Sequence, residues 1–325
     1  MIIIHAAGNE QIGIGNLIRS YSLALELKKN HYELIIIFEC DKKISDFVNK
    51  EKLEIINFTE RKKTINFLKK LKLIDEKNIY ISDILDADAI FENLIRRIGF
   101  FPIIHLNDSG LNNFKPDVLI DGDIFFKKWN LKDVQILQSP KYHIVKNDIV
   151  KNRPQNSWNK SCAQNILVCF GGTDPARYTE MLINELKNEK CNLNFNIILG
   201  PGFSEKRIEK IMRNHIDNVV FYKNVNDIYK FILNSDIVLS LGGGIAYESM
   251  CLGIPTAAIP WGNMRFYVEN MDDMGVLKKI SKCNIIEELR KLSCDIHQMK
   301  KIAFNGWKLV DGKASKRIVD YIKSI

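Results

Sequence analysis

Two glycine-rich turns, one near the start of the chain and one in its second half, constrain the fold more than any other feature. Ile2-Ile3-Ile4 runs into Gly8-Asn9-Glu10-Gln11-Ile12-Gly13-Ile14-Gly15, and Asp236-Ile237-Val238-Leu239 runs into Gly242-Gly243-Gly244. In both places a β-branched apolar run is followed by a turn poor in side chains and then by residues at helical spacing. Strand, bare turn and helix N-terminus together make a site for anionic groups, because unpaired backbone N–H groups and the helix dipole converge there. Two such units in a chain of 325 residues imply two nucleotide-type domains facing a shared cleft.

The rest of the chain repeats the alternation. Strands are expected at Met1 to His5, Leu34 to Phe38, Leu53 to Phe58, Ile79 to Ser82, Pro102 to Leu106 and Val118 to Ile120. Helices are expected at Leu17 to Lys29, with Asn16 at the N-cap, at Arg61 to Leu73, and at Ala87 to Ile98, ending on Gly99. The pattern lapses between Lys146 and Ser161, where Asn152 to Asn159 is polar and carries Pro154. It resumes with strands at 166–170, 195–199, 219–222, 237–241 and 256–259, separated by helices at 179–186, 204–213, 225–233 and 246–252. Alternating β and α units of this length predict an α/β protein with one doubly wound parallel sheet in each half. The expected domains are 1–147 on the acceptor or sugar side, a linker at 148–162, a nucleotide-binding domain at 163–310, and a terminal helix at 311–325 crossing back to the first domain.

Composition narrows the class. With 46% hydrophobic and 26% charged residues the chain is globular, and its net charge of +8 attracts phosphate or an anionic surface. No long basic block is interleaved with aromatics, so no nucleic-acid partner is expected. Met1 to His5 reads as a first strand rather than a signal peptide, and no apolar run reaches the roughly 20 residues that span a bilayer. Seven scattered cysteines without a CxxC pair fit reduced thiols in a cytoplasm, and no metal is expected. The chain is read as cytoplasmic, with a peripheral position at the inner membrane left open by its basic surplus.

Chemistry concentrates in a few places. In Gly242-Gly243-Gly244-Ile245-Ala246-Tyr247-Glu248 the glycines let a backbone approach a ligand and present N–H groups, while Glu248, one helical turn in, can accept two hydroxyls. The turn Phe170-Gly171-Gly172-Thr173-Asp174-Pro175 opens the second half; Thr173 and Asp174 can cap the next helix or face the ligand. Trp261 can stack on a sugar face, and Arg265 can meet a phosphate or carboxylate. His5 closes the first strand; His105 lies in the fifth; His31, His143, His215 and His297 show no partner pattern.

The order Gly13-x-Gly15-x-x-x-Arg19, Ser139-Pro140-Lys141-Tyr142, Phe170 to Pro175, Gly242-Gly243 with Tyr247-Glu248, and Leu252-Gly253-Ile254-Pro255 resembles one family over roughly Met1 to Gly275. It is the nucleotide-sugar hydrolase family of pseudaminic acid biosynthesis with its spore-coat polysaccharide relatives. That family is similar in turn to the peptidoglycan glycosyltransferase that adds N-acetylglucosamine to lipid I. The resemblance implies a GT-B fold of two Rossmann-like domains. It places phosphate contacts at Gly171, Gly172 and Thr173 and at Gly242, Gly243, Gly244 and Ile245. It places the ribose on Glu248 and the base, usually uracil, near Val225 and Ile228. Gly13, Gly15, Arg19, Asn263 and Arg265 fall on the sugar or acceptor side.

The departures lie on the reacting side. The family's histidine after Gly-x-Gly is here Asn16, whose amide cannot accept a proton near neutral pH. Its Ser-Thr after the paired glycines is Gly244-Ile245, its Asn-Gln pair is Asn263-Met264, and its paired aspartates are Asn107-Asp108. A tyrosine expected two residues after Asp83 is Leu85. A retained nucleotide site without a water-activating histidine favours transfer of a UDP-sugar to a glycan, lipid-linked or small-molecule acceptor. Asp108, Asp83, Glu10 or His5 then stands in as the base. The alternatives are an NDP-sugar hydrolase and a non-catalytic sugar-nucleotide binder. No cofactor or metal is required by any of them.

Overall fold

The computed structural model describes every residue except 10–12, 72, 74–76, 108–110, 112, 125–128, 190, 224 and 263. The chain divides into two compact units, Met1–Lys146 with Lys313–Ile325, and Asn147–Gly312.

Unit 1 is built from β1 (Ile2–Ala7), α1 (Gly15–Lys29), β2 (Leu34–Glu39), α2 (Lys42–Val48), β3 (Ile55–Phe58), α3 (Arg61–Leu68), β4 (Ile79–Asp83), α4 (Ala89–Ile98), β5 (Ile103–Asn107), β6 (Val118–Asp121) and β7 (Gln135–Gln138). Its sheet is parallel throughout, in the order β3-β2-β1-β4-β5-β6-β7. All six residues of β1 are buried, as a central strand covered on both faces requires. Alternation along the strand splits them. Ile2, Ile4 and Ala6 pack with Leu17, Tyr21 and Ala24 of α1 and with Ile318 and Ile322 of the C-terminal helix (Ala314–Ser324). Ile3 and Ala7 pack with Leu68, Phe91 and Ile95 on the other face. The Asp88 carboxylate caps α4 by accepting from Phe91 N at 2.8 Å, and Gly99 ends it at φ 108°.

Unit 2 comprises α5 (Asn147–Lys151), β8 (Asn165–Val168), α6 (Tyr178–Asn188), β9 (Asn194–Leu199), α7 (Glu205–Met212), β10 (Val219–Lys223), α8 (Ile228–Leu233), β11 (Ile237–Ser240), α9 (Gly244–Cys251), β12 (Thr256–Ala258), α10 (Met264–Asp273), β13 (Lys278–Lys279), α11 (Ile285–Cys294) and α12 (Ile296–Leu309). Its parallel sheet runs β10-β9-β8-β11-β12-β13. The polar stretch before β8 is tied to this unit. Arg153 donates to the carbonyls of Cys251, Trp307 and Val310 and stacks 4.4 Å from the Trp307 ring, while buried Trp158 hydrogen-bonds Gly253 O and Asp236.

In both sheets the strand order reverses once, between β1 and β4 and between β8 and β11. In open α/β sheets ligands bind beyond the strand C-termini at such a reversal. The glycine-rich turns after β1, β8 and β11 all leave the sheets there. One local expectation is corrected: α1 starts at Gly15 with Ile14 at its N-cap, so Asn16 is its second helical residue and not the cap.

Candidate functional site

In unit 2, β8 and β11 are paired neighbours, and Cys169 N still donates to Leu239 O at 3.0 Å. The turns that follow, Gly171 to Thr173 and Gly242 to Gly244, therefore emerge side by side. Gly171 and Gly242 have φ of 89° and 83°, a left-handed backbone that favours glycine. A Cβ on Gly242 would also stand 2.4 Å from Val268 Cγ2. Gly172, Gly243 and Gly244 are different. Their φ angles are ordinary, and no atom lies within 4 Å of where a Cβ would sit. Neither backbone conformation nor packing demands glycine at these three positions.

Gly243 precedes α9 with extended backbone (φ −82°, ψ −153°) and caps it with no side chain; Ala246 N donates to Gly243 O at 2.8 Å, and the N–H groups of Gly244 and Ile245 begin the helix. Ile245 is half-buried in its first turn, and Glu248 is its fifth residue, with only 6% of its surface exposed. The neighbouring turn is braced. Arg207 donates to the Thr173 and Asp174 carbonyls at 2.9 and 3.0 Å and to the Asp174 carboxylate at 3.0 Å. Asp174, wholly buried, accepts from Tyr178 N and Thr179 N at 2.9 Å each and so caps α6. Gly202 N donates to Gly172 O, and a Cβ on Gly200 would strike Gly172 Cα at 2.6 Å. Val225 is half-buried, whereas Ile228 belongs to the core. Trp261 is exposed, and Arg265 is exposed on α10, 3.0 Å from Glu269. Asn263 lies outside the described residues.

In unit 1, the turn after β1 is closed by paired backbone hydrogen bonds between Asn9 and Gly13, at 3.2 and 2.8 Å. Gly13 has φ 88°; Gly15, exposed at the start of α1, has an ordinary φ and open space where its Cβ would be. Asn16, Arg19 and Ser20 share one face of α1. Arg19 clasps both oxygens of Asp83, at the end of β4, through Nε (2.8 Å) and Nη2, and donates to Leu106 O at 3.3 Å. Ser20 adds a third hydrogen bond to Asp83 at 2.8 Å. The Asn16 amide nitrogen is buried without a hydrogen-bond partner among the described residues. Such a group is unfavourable unless something supplies an acceptor. Glu10 and Asp108 lie outside the described residues.

Two of the proton-transfer candidates are held closely by their surroundings. Asp83 is wholly buried, and its carboxylate accepts from Arg19 and Ser20 and so fixes the guanidinium. His5 is also wholly buried, on the opposite sheet face from Asp83, with Nδ1 2.5 Å from the Tyr80 hydroxyl and Nε2 3.0 Å from Glu39 Oε1. Burial lowers the His5 pKa against the pull of Glu39. Burial pushes Glu39 up, but His5 and Arg61 outweigh it and hold the carboxyl at about 2. Arg61 extends the chain to Asp86 at 2.8 Å. This relay runs through the strand face covered by Phe91 and gives His5 a structural task.

A second group in unit 1 has no counterpart in the sequence reading. His143 and Asp123 come together beside Arg19, 4.0 Å apart between Nδ1 and Oδ1. The cue available in the sequence was the place of His143 directly after Ser139-Pro140-Lys141-Tyr142; the partner 20 residues earlier is supplied only by the sheet.

A family model described as "Protein of unknown function (DUF354)" matches residues 130–305. The uncharacterized protein MJ1062 of Methanocaldococcus jannaschii is 26% identical over 297 residues, 87% of this chain; the chain spans only 60% of that relative's length. The spore coat polysaccharide biosynthesis protein SpsG of Bacillus subtilis is 21% identical over 99% of this chain and 97% of its own. Among solved structures, MurG of Acinetobacter baumannii superimposes with a TM-score of 0.66 at 13% identity, over 100% of this chain and 99% of its own. A co-structure of S. aureus MnaA with UDP does so at 0.67 and 16%, over 99% and 96%. The fold is GT-B, two Rossmann-like parallel-sheet domains. Since the matching model covers more than half of its length, the chain belongs to the DUF354 family of proteins of unknown function.

Proposed function

We propose that the chain is a nucleotide-sugar-dependent glycosyltransferase with a UDP-sugar donor, acting in surface-glycan assembly in the cytoplasm or at the inner face of the membrane. The observation that carries this reading is the unforced glycine at 172, 243 and 244, on two adjacent turns at a sheet reversal. A ligand lying on the backbone is what would exclude side chains there. A diphosphate fits, since the N–H groups at the start of α9 favour negative charge. The UDP bound to the similar MnaA and the polysaccharide role in the name of SpsG point the same way.

In this reading Gly171, Gly172, Thr173 and Gly242 to Ile245 hold the diphosphate, Glu248 accepts the ribose hydroxyls, and Val225, backed by Ile228, borders the uracil. The same amides stabilise the departing diphosphate, which leaves no step that needs a metal. Gly13, Gly15, Asn16 and Arg19 serve the acceptor side, Asn263 and Arg265 the sugar, and Asp108 is the base. Transfer is preferred over hydrolysis because an amide at position 16 cannot take a proton from water.

Calorimetry with UDP, followed by incubation with UDP-sugars with and without saccharide acceptors, tests this. UDP is expected to bind, Glu248→Ala to weaken it about tenfold without unfolding the chain, and sugar to move only when an acceptor is present. Free sugar released without acceptor would make the protein a hydrolase. Binding without turnover would make it a carrier, and no binding of UDP would end the reading.

A further inference from the structure

Unit 2 carries an outer face that no role above uses. On α12, His297, Lys300, Lys301, Phe304 and Lys308 recur at helical spacing and fall on one side of the helix. All five are exposed, while the opposite side is buried through Met299, Ile302, Ala303 and Gly306. Phe304 keeps 48% of its surface open, and Lys308 Nζ stands 5.1 Å from the centre of its ring. The three lysines form no ion pair among the described residues. No carboxylate lies on this side. Along the chain the nearest are Asp295, which caps the helix by accepting from Gln298 N at 2.9 Å, and Asp311 beyond its end.

The end of α10 extends the same surface. Asn305, the residue after Phe304, donates from its amide to Gly275 O at 3.1 Å, which brings Met274 beside α12. Met274 is 42% exposed and continues the α10 ridge of Asn270 and Phe266, and Phe266 is 62% exposed. Lys279, just beyond, is exposed as well. The carboxylates here are Asp273, which is exposed, and Asp272, half-buried and accepting from Lys279 N at 2.8 Å; Glu269 is paired with Arg265.

Chemistry selects the occupant. Interfaces between proteins are depleted in lysine, so a partner protein is a poor match. Nucleic acid would meet the lysines through its phosphates and leave Phe304, Met274 and Phe266 in water. An anionic bilayer uses both kinds of group. Lysine stems lie along apolar surface while their ammonium groups reach lipid phosphates, and the apolar side chains enter the acyl boundary.

We propose that the outer face of α12, with the end of α10, is a docking surface for an anionic phospholipid bilayer, held by Lys300, Lys301 and Lys308 and by insertion of Phe304 and Met274. Docking needs no nucleotide, and only its purpose rests on the sugar-nucleotide reading.

The test is sedimentation of the full chain with vesicles of phosphatidylcholine alone, and of phosphatidylcholine with an equal part of phosphatidylglycerol. The chain is expected to pellet with the anionic vesicles only, and added salt should release it. Lys300→Gln, Lys301→Gln and Lys308→Gln together are expected to weaken the partition about a hundredfold, about fivefold for each lysine. The control is Lys62→Gln, Lys69→Gln and Lys70→Gln together, which removes the same charge from exposed positions of unit 1 and should leave binding nearly unchanged. Phe304→Ser keeps the charge and should weaken binding about tenfold. Failure to bind anionic vesicles overturns the proposal. So does equal loss in the two lysine triples, which would mean diffuse attraction without a docking face, and so does undiminished binding by Phe304→Ser. UDP calorimetry on the same samples keeps the two readings apart. UDP binding without vesicle binding removes the docking surface alone, and vesicle binding without UDP binding removes the nucleotide reading alone.

Discussion

Glycine at position 243 is a residue that folding does not impose. It has no left-handed backbone and no neighbour that a methyl group would strike, in contrast to Gly242, which has both. Gly243→Val meets no clash but replaces the N-cap of α9 with a poorer capping residue, so it is expected to cost about 1 kcal/mol and leave the chain folded. It should abolish calorimetrically detectable UDP binding. A variant that binds UDP like the parent would mean the bare backbone serves no ligand. At the same scale, the Asn16 amide nitrogen is buried without a partner among the described residues, whereas the Asp83 carboxylate is held by Arg19 and Ser20 and orients the guanidinium.

Among elements, the connection from β8 into α6 shows how a binding turn is held. Asp174 caps α6 and pairs with Arg207, which in turn clamps the carbonyls of Thr173 and Asp174 and reaches Glu180 at 2.7 Å. Asp174→Ala removes the cap and takes one partner from the half-buried Arg207 guanidinium, for an expected loss of about 2 kcal/mol. Denaturant melts should show it, and UDP affinity should fall with it, whereas Gly243→Val loses binding at a smaller cost in stability. Stability unchanged in Asp174→Ala would show that the turn needs no such brace. Most elements were readable locally, because periodicity and turn residues are short-range signals. β7 was missed: Gln135-Ile136-Leu137-Gln138 is an edge strand with two apolar residues, too short to alternate. The short α2 was missed for want of a long apolar stripe, with only Ser45 and Val48 buried.

For the whole molecule, acid is expected to discriminate between the units. His5, His105 and His143 all lie in unit 1 with lowered pKa, the last two at about 3, chiefly because burial disfavours the charged ring. A folded pKa below the unfolded 6.5 means the unfolded chain takes up protons first. The stability is whole above pH 6.5 and falls as the pH drops toward 3. By pH 4.5, two units below the unfolded pKa, His105 and His143 should each account for roughly 3 kcal/mol. Hydrogen exchange between pH 7 and 4.5 should show unit 1 amides losing protection ahead of those of unit 2. Equal loss in both would contradict the assignment.

The sequence by itself determined the alternation of strands and helices, the parallel sheet in each half, and the bare turns after β1, β8 and β11. All of these follow from spacing and turn chemistry within about ten residues. Which side chains meet beyond those turns was decided by tertiary structure alone. Arg19 and Asp83 are 64 residues apart in sequence, and Asp83 and His5 end on opposite faces of one sheet. The order of strands chooses the partners, and the alternation of each strand chooses the face. A one-residue change in either would send the same carboxylate to a different environment.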